Sequence, residues 1–421
     1  MFTEKAMFTF RSRALVASVA VALASFSGSL ASAELQEHVG LQKLEPTFAE
    51  GGFEYAQFGF DVAIRNGLAF VGIPWSLGTG RVAVFTQGTG GWVRSGSITA
   101  SDMTTGDEFG RAVSFRDGLL IVGSNRAAYV YKRVNGVWRE QQKIVPPAAD
   151  AIALFARDLK HEAGILAIGA FGQRDLTVPA TTRDSVYVYE QDAAGRFVRR
   201  ARFTSHGTQF RDGFGGAIDM TSAIIVVGGG GAAYILGRNS SGNWVQRQKL
   251  VGSAGPGGFG DSVAVDRGMI LVGAPNTLVP GHEPFPDEPV SVSGAVYGFV
   301  PSGTQYVEAF KLDQTLDEFS AYRFGLSIAL RNDRIAVGAE FPFNVEDQDK
   351  ELARGIVVTY SRDGSIVHSR GVLGVSTFFM TPVSIGIANN LLLIGLPFGP
   401  FCAKQGCDGA AVLADLNRFE P

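Results

Sequence analysis

Cysteine and histidine, on which many metal centres and nucleophilic active sites depend, are scarce in this sequence. Its 421 residues include two cysteines and five histidines, and the histidines are scattered along the chain. There is no G-x-S-x-G elbow, no H-E-x-x-H motif and no G-x-x-x-x-G-K-[ST] loop. These absences argue against the hydrolases, metalloproteases and nucleotide-binding proteins that such motifs define.

Charge is also sparse. Lys, Arg, Asp and Glu together make up 18% of the residues, and the net charge is −3. No basic run with interleaved aromatic residues occurs, so we expect no nucleic-acid partner. In contrast, hydrophobic residues make up 46% of the chain and glycine accounts for 54 residues, which suits a large core with many turns.

The first 33 residues have the pattern of a secretory signal peptide. Lys5, Arg11 and Arg13 precede an apolar run at residues 14–26, and Ala31-Ser32-Ala33 provides an A-x-A cleavage site. An uncleaved membrane anchor is the alternative, but the run is too short for a membrane-spanning helix. We therefore expect a mature chain of residues 34–421 that is secreted or periplasmic, without a membrane span.

A phenylalanine is followed fourteen positions later by a glycine at six places in the mature chain. The pairs are Phe58 and Gly72, Phe109 and Gly123, Phe155 and Gly169, Phe214 and Gly228, Phe259 and Gly273, and Phe324 and Gly338. Counting back by the same offset from Gly395 gives Thr381, the start of a seventh, degenerate copy. Such internal repetition predicts one large repeat domain rather than several unrelated ones.

Each copy predicts a hairpin. The turn lies eight and nine positions after the leading residue, as at Asn66-Gly67 and Asp117-Gly118, and these dipeptides favour a two-residue type I′ turn. The apolar run after each turn, such as LAFVG or MILVG, is typical of a buried strand, and its shortness argues against a buried helix. Two more strand patterns follow, so each copy predicts a four-stranded antiparallel unit.

The number of fourth strands indicates how the chain closes. Six fourth-strand patterns follow the first six copies, whereas the seventh copy ends after its third strand at residues 410–416. Residues 38–44, HVGLQKL, match the fourth-strand sequences REQQKI and VQRQKL. We therefore predict that the N-terminal strand completes the last unit and closes a ring, which removes the exposed edge of an open array.

The motifs FG-x-S-V-A, LLVGAP, GAVYVF and W-x-x-x-QKL together resemble the FG-GAP repeat. This resemblance covers essentially the whole mature chain and is closest to the exported bacterial subgroup. It implies an all-β, seven-bladed β-propeller of four-stranded antiparallel blades, as in the N-terminal region of integrin α-chains. Integrin repeats often carry a D-x-D-x-D-G calcium loop between the first two strands. The two-residue turns here leave no room for one, so calcium is not expected at that family position.

Long connections between the second and third strands lie on one face of such a propeller, where binding sites often occur. We predict a ligand-binding face there, and the candidate residues are His282, Glu283, Asp287, Glu288, Glu346, Asp347, Asp349, Arg174 and Asp175. Glu346, Asp347 and Asp349 are also candidate ligands for Ca²⁺, which prefers carboxylate oxygens. A solvated acidic rim is the alternative, because no complete ligand pattern is present.

The two cysteines, Cys402 and Cys407, flank a four-residue segment in the last of these connections. In an exported chain such a pair is expected to form a disulfide, which would restrain that loop. A metal site is the weaker alternative because about four ligands would be needed.

The sequence favours an exported, non-enzymatic binding or adhesion module that recognises a protein or a cell-surface or extracellular polymer. The alternatives are a propeller-fold hydrolase or lyase that acts on glycans or phosphoesters with acidic loop residues, and a structural surface-layer component. The fold alone does not decide among them.

Overall fold

A computed structural model describes residues 42–44, 57–150, 152–172, 184–204, 213–253, 255, 257–277, 294–313, 322–340, 355–363, 366–376, 384–397 and 409–419. These residues form seven separate four-stranded antiparallel sheets. The sheets are the blades of a β-propeller, and the prediction of an all-β, seven-bladed architecture is confirmed.

The first four blades each use four consecutive strands. Blade 1 comprises β2 (Val62–Arg65), β3 (Leu68–Ile73), β4 (Arg81–Gly88) and β5 (Gly91–Ile98). Blade 2 comprises β6 (Ala112–Arg116), β7 (Leu119–Gly123), β8 (Ala128–Val134) and β9 (Val137–Ile144). Blade 3 comprises β10 (Ile152–Glu162), β11 (Ile165–Gly172), β12 (Ser185–Gln191) and β13 (Phe197–Thr204). Blade 4 comprises β14 (Ala217–Met220), β15 (Ile224–Gly229), β16 (Ala232–Arg238) and β17 (Trp244–Leu250).

The remaining blades complete the ring. Blade 5 comprises β18 (Ser262–Asp266), β19 (Met269–Ala274), β20 (Ala295–Ser302) and β21 (Gln305–Leu312). Blade 6 comprises β22 (Tyr322–Arg331), β23 (Arg334–Glu340), β24 (Gly355–Asp363) and β25 (Ile366–Ser376). Blade 7 comprises β26 (Ser384–Ala388), β27 (Leu391–Leu396), β28 (Ala410–Asp415) and the N-terminal β1 (Gln42–Leu44). Short 3₁₀ turns lie at Ser76–Gly78, Ala148–Asp150 and Leu416–Phe419.

Closure of the ring by the N-terminal strand is confirmed. β1 pairs antiparallel with β28, so that Gln42 lies opposite Leu413 and Leu44 lies opposite Ala411. Leu44 is 2% exposed and belongs to the core shared by blades 7 and 1. The two ends of the chain therefore hold each other in one sheet, and β28 has a partner along its outer side.

The predicted hairpin turns are present between the first and second strands. Both turn residues have positive φ at Asn66-Gly67, Asp117-Gly118, Ala163-Gly164, Arg267-Gly268 and Asn332-Asp333. Blade 4 differs, because Ser222 and Ala223 are not among the described residues with positive φ. There the Thr221 hydroxyl oxygen accepts hydrogen bonds from the backbone N–H groups of Ala223 and Ile224. A side-chain-stabilised turn thus replaces the type I′ geometry where the sequence has no Asn or Gly.

The second strands form the most buried layer of each blade, as their apolar runs predict. All residues of β11, β15 and β19 are buried. The leading phenylalanine of each repeat then packs edge-on against an aromatic ring of the third strand in its own blade. The ring centroids are 5.5 Å apart for Phe109 and Tyr129 and 5.3 Å apart for Phe259 and Tyr297. Edge-to-face contacts of this kind contribute about 0.5–1.5 kcal/mol each beyond their burial.

The repeat glycines allow the backbones of neighbouring blades to touch. A methyl group on Gly72 would overlap the Gly110 carbonyl oxygen of the next blade, and one on Gly169 would overlap that of Gly215. The same overlap arises at Gly228 with Gly260, at Gly273 with Gly325 and at Gly395 with Gly59. These glycines therefore serve the packing of one blade against the next. Any side chain at these positions would force the blades apart.

Blade 3 is the exception, because Ala156 replaces the glycine that follows the leading phenylalanine. Ala156 is fully buried and adopts φ +53°, a left-handed conformation that costs an L-residue about 1–2 kcal/mol. A methyl group on Gly123 of blade 2 would lie 2.6 Å from the Ala156 oxygen, a longer distance than at the glycine–glycine junctions. The slightly wider junction leaves room for the alanine methyl group.

Glutamines of the QK motif join the outer strands of neighbouring blades. The Gln42 amide accepts a hydrogen bond from Trp92 N–H (2.8 Å) and donates one to Trp92 O (2.6 Å). Gln142 makes the same pair of bonds with Phe197, and Gln248 makes it with Tyr306. Each amide thus makes the two hydrogen bonds that a residue of a paired strand would make. It thereby links the outer strand of one blade to the start of the outer strand of the next blade.

Removal of residues 34–44 should lower the melting temperature by at least several degrees. The deletion removes β1, exposes the edge of β28 and takes Leu44 out of the core, and the loss of a buried leucine side chain alone costs about 2–5 kcal/mol. Calorimetry of the chain that begins at residue 34 and of the shortened chain measures the difference. An unchanged melting temperature would show that the ring does not depend on this closure.

Gly110 and Ala156 occupy the same position in adjacent repeats. The substitutions Gly110→Ala and Ala156→Gly should nevertheless change the free energy of unfolding by unequal amounts. Gly110 has φ +96° and its added methyl group would overlap the backbone of blade 1, so we expect a loss of about 2–5 kcal/mol in the free energy of unfolding. In Ala156→Gly, relief of the left-handed alanine offsets the lost methyl group and the greater freedom of glycine when unfolded. We expect a change below about 1 kcal/mol. Urea titration of both variants measures this, and equal losses would contradict the packing argument.

Candidate functional site

The candidate residues on the long loops lie outside the described residues. These are Arg174, Asp175, His282, Glu283, Asp287, Glu288, Glu346, Asp347 and Asp349, together with the expected disulfide partners Cys402 and Cys407. The predicted signal peptide, residues 1–33, also lies outside them. The strands that flank each long connection are described, and they begin and end these connections on one face of the ring. We call it the loop face, and the opposite face, which carries the turns after the first strands, the hairpin face.

An exposed apolar pair lies in the described part of the loop face. Trp75 is 51% exposed and Leu77 is 47% exposed, and Trp75 is the only aromatic residue among the exposed large hydrophobic residues of the described ranges. Both belong to the β3–β4 connection around the 3₁₀ turn Ser76–Gly78. Leu77 has φ +51°, so an exposed apolar side chain is held on a left-handed backbone. Strain and exposure at one residue are more typical of a recognition site than of the scaffold.

Backbone hydrogen bonds hold this connection rigidly. Gly80 N–H donates to Ser76 O at 2.8 Å, and Gly106 N–H of the following connection donates to Gly78 O at 2.8 Å. A loop held at both ends presents its side chains with little loss of conformational entropy on binding. These bonds fix the backbone from which the Trp75 and Leu77 side chains extend.

Blade 2 extends this surface with polar groups. Asn125 Nδ2 donates to Gly106 O at 3.0 Å, which links the β7–β8 connection of blade 2 to the β5–β6 connection, and Gly106 N–H of that connection in turn donates to Gly78 O. Arg126 Nε lies 2.9 Å from Asp107 Oδ1, and the Arg126 side chain is 65% exposed. We call Trp75, Leu77 and Arg126 the loop-face patch. Its combination of an indole, an aliphatic group and a guanidinium is typical of protein-interface contacts.

Sequence analysis missed this patch, although a signal for it was present. Of the four tryptophans, Trp92, Trp138 and Trp244 lie at the starts of fourth strands and belong to the repeat. Trp75 lies outside that pattern, in a connection between second and third strands. An aromatic residue that the repeat does not require was therefore the available sign of a separate role.

A central channel passes between the first strands of the seven blades and encloses about 520 Å³. Charged residues line it along its length. Arg111, Arg157, Asp261 and Arg323 lie towards the loop face, Asp61, Asp158, Lys160 and Asp219 lie deeper, and Arg116 and Arg331 lie at the hairpin face. Such a channel is the usual place to look for a ligand site in a propeller, so the environment of each group matters.

The deep carboxylates are engaged in structural hydrogen bonds between blades. Asp61 Oδ2 accepts from Val113 N–H at 2.6 Å, Asp158 Oδ2 from Ile218 N–H at 2.6 Å, and Asp219 Oδ2 from Val265 N–H at 2.7 Å. Each bond joins the first strand of one blade to the first strand of the next. These acids thus satisfy backbone donors on the unpaired edges of the first strands.

Lys160 lies among these carboxylates, with Nζ 3.6 Å from Asp158 Oδ1. Burial opposes its charge, but Asp158, Asp61 and Asp219 outweigh that effect and raise the Lys160 pKa above its ordinary value. Burial raises the Asp158 pKa to about 6, although Lys160 and the Ile218 and Leu159 N–H groups act in the opposite direction. Burial also raises the Asp219 pKa. A lysine thus occupies the centre of the acidic part of the channel and balances its charge.

His161, the one histidine whose side chain is described, is also structural. It is 2% exposed, and burial lowers its pKa to about 4, so its ring is neutral at pH 7. Nε2 donates to Arg116 O at 2.8 Å, and Nδ1 accepts from Ser114 Oγ at 3.0 Å. The ring therefore fixes the end of β6 against β10 and has no nitrogen left for proton transfer.

The described residues lack two further features. No group of three or more His, Cys, Asp or Glu side chains there is arranged to hold a metal ion. No helix there is long and apolar enough to cross a membrane.

Comparison with known proteins supports the repeat type and the fold. An FG-GAP repeat model matches residues 92–133, from β5 to β8. One chain in a crystal structure of the mitotic checkpoint complex is 10% identical, with a TM-score of 0.53, and the match covers 89% of this chain and 93% of that one. Sqt1 from Saccharomyces cerevisiae is 11% identical, with a TM-score of 0.47 and coverage of 86% and 97%. At such identities a similarity shows the fold alone. None of the curated proteins compared with this sequence matches it.

The raised pKa of Asp158 predicts a specific pH dependence of stability. A carboxyl whose pKa is higher in the folded state binds its proton more tightly there, so its contribution is full below the unfolded pKa near 4 and is lost as the pH rises through about 6. Relative to Asp158→Asn, the unfolding free energy of the wild type should fall by about 2 kcal/mol between pH 4 and pH 7. Urea titrations at both pH values measure it. A difference that stays constant with pH would contradict this assignment.

Proposed function

We propose that this FG-GAP repeat β-propeller protein is an exported, non-enzymatic binding module that recognises a protein or a cell-surface or extracellular polymer through its loop face. The observation that carries the proposal is the loop-face patch, where Trp75 and Leu77 are exposed on a connection held by backbone hydrogen bonds. A protein without a partner gains no stability from exposing an indole and a strained leucine side by side.

The channel carboxylates are engaged in structural hydrogen bonds, and this favours binding at the loop face over catalysis inside the ring. Asp61, Asp158 and Asp219 accept backbone hydrogen bonds between blades, and Lys160 balances their charge. A general acid or base needs a proton path to a substrate, whereas these groups are committed to the scaffold. The channel thus acts as the rigid centre on which the loops are mounted.

The long loops of blades 5 and 6 extend the proposed site. Their acidic residues, among them Glu283, Asp287, Glu346 and Asp349, would add negative charge to the partner-binding surface. Such a surface suits a partner that carries both apolar and basic groups. Glu346, Asp347 and Asp349 remain candidates for a Ca²⁺ that would order the loop.

A hydrolase or lyase that uses the acidic loop residues on glycans or phosphoesters is the alternative. Activity screening of the purified protein with and without divalent ions separates the two functions. If the wild type shows turnover and Asp287→Asn or Glu346→Gln abolishes it, the enzymatic alternative is correct and the binding proposal is wrong. Export is tested by N-terminal sequencing of the secreted chain, and a start far from Glu34 would contradict the proposed cleavage site.

Replacement of both Trp75 and Leu77 by serine should weaken partner binding at least tenfold, because aromatic anchors at interfaces often account for 2 kcal/mol or more. The immobilised mature chain is used to capture proteins and polymers from surface extracts, and the affinity of each captured species is then measured. Val137→Ser is the control, since Val137 is 54% exposed but lies after the β8–β9 turn on the hairpin face.

Two outcomes would contradict the site. If the serine variant retains every contact with unchanged affinity, the loop-face patch is not the binding surface. If Val137→Ser weakens binding as much, the effect comes from general loss of apolar surface. Shortening of residues 278–293 and 341–350 tests the contribution of the long loops in the same assay.

A further inference from the structure

Basic residues converge at the mouth of the channel on the hairpin face. Arg65, Arg116 and Arg331 are the last residues of β2, β6 and β22, the first strands of blades 1, 2 and 6. Going around the ring, blades 6, 7, 1 and 2 are consecutive, and blade 7 has the small Ala388 at the same position. We call Arg331, Arg65 and Arg116 the arginine arc. The alanine between Arg331 and Arg65 leaves space along it.

Arg116 and Arg65 both lie close enough to Arg331 to act on its charge. Arg331 is half-buried, and burial lowers its pKa, as do the positive charges of Arg116 and Arg65. Asp266 and Glu162 act in the opposite direction but more weakly. Like charges brought together in a partly desolvated channel mouth are unfavourable unless an anion accompanies them.

Carboxylates at this end of the channel satisfy the arc only in part. Glu162 Oε2 lies 3.2 Å from Arg116 Nη1, yet Nη1 is buried without a hydrogen bond of acceptable geometry. Asp266 Oδ2 accepts the Asn332 N–H at 2.7 Å. Among the described residues, Arg65 and Arg331 form no ion pair. The arc therefore offers guanidinium donors that the described part of the chain satisfies only in part.

We propose that the arginine arc binds an oxyanion, a phosphate or carboxylate group of a small ligand, at the hairpin-face mouth of the channel. Guanidinium groups suit this role because their fixed N–H donors match the oxygen pairs of carboxylates and phosphates. Arg116 and Arg331 line the channel, so the bound group would enter its open end. The site lies on the face opposite the loop-face patch and is independent of the proposed partner binding.

The framework around the arc is fixed before an anion binds. His161 holds the Arg116 carbonyl, and Asp117 Oδ2 accepts the Ala163 N–H at 2.7 Å. Asp266 ties blade 5 to the turn that follows Arg331. Strand ends held in this way fix the backbone positions from which the three arginine side chains extend, which lowers the entropic cost of binding.

Inorganic phosphate and citrate are the probes, and isothermal titration calorimetry at low ionic strength is the measurement. The full mature chain should bind at least one of them saturably, and Arg331→Gln and Arg65→Gln should each weaken binding at least tenfold. Binding of phosphate alone or of citrate alone distinguishes a phosphate site from a carboxylate site. Arg267→Gln is the matched control, because Arg267 lies on the same face, is 58% exposed and pairs with Asp333 at 3.2 Å. It should leave the affinity unchanged.

One further variant and a second measurement on Arg331→Gln also test the arginine arc. Glu162→Gln removes the carboxylate that competes for Arg116, so it should tighten anion binding severalfold. In anion-free buffer, Arg331→Gln should melt no lower than the wild type, because it removes repulsion within the arc. Absence of saturable binding, equal weakening by Arg267→Gln, or a clear drop in the melting temperature of Arg331→Gln would each overturn the assignment.

Discussion

Direct contact between the backbones of neighbouring blades is the constraint on which the rest of the structure depends. At five of the junctions a glycine at the end of a second strand lies against the glycine of the next Phe-Gly pair, with no room for a methyl group on the first. This contact sets how closely the blades stand around the channel. It also explains the fixed spacing of the repeat, since the glycine and the phenylalanine that fills the blade core must both reach their places from one short hairpin.

A ring packed so tightly leaves backbone donors along the edges of its sheets, and side chains satisfy them from the neighbouring blade. Near the channel the acceptors are aspartates such as Asp61 and Asp219, and at the rim they are glutamines such as Gln42 and Gln142. The inner and outer edges thus use different side chains for one task. A carboxylate accepts only, which suits isolated N–H groups, whereas an amide can accept and donate and so spans both groups of one residue.

The repeat could be read from the sequence because its residues act locally. Phe259, its turn and Gly273 belong to one hairpin, so their spacing is the same in every complete copy. The aspartate hydrogen bonds between first strands of neighbouring blades could not be predicted from the sequence in this way. Asp61 and Asp158 occupy one register position of the first strand, Asp219 lies two residues further along, and Asp266 lies at the strand end. Asp61 and Asp158 contact equivalent residues of the next blade, Val113 and Ile218, whereas Asp219 and Asp266 contact residues further along. Because no single position carries an aspartate in every copy, no sequence period marks these contacts. The QK motif was visible as a pattern, but the role of its glutamine depends on a blade that lies far along the chain.

The hydrogen-bonding groups in the middle of the channel are largely occupied by other groups of the protein. The deep acids are bound to backbone and to Lys160, so the middle of the ring has little unmatched hydrogen-bonding capacity. Exposed apolar groups and clustered cationic groups lie instead at its two ends. The loop face presents apolar side chains and a guanidinium beside long connections, whereas the hairpin face concentrates arginines whose carboxylate partners are few. The two proposed sites therefore differ in chemistry, apolar and aromatic at the loop face and cationic at the hairpin face, and the ring of blades separates them.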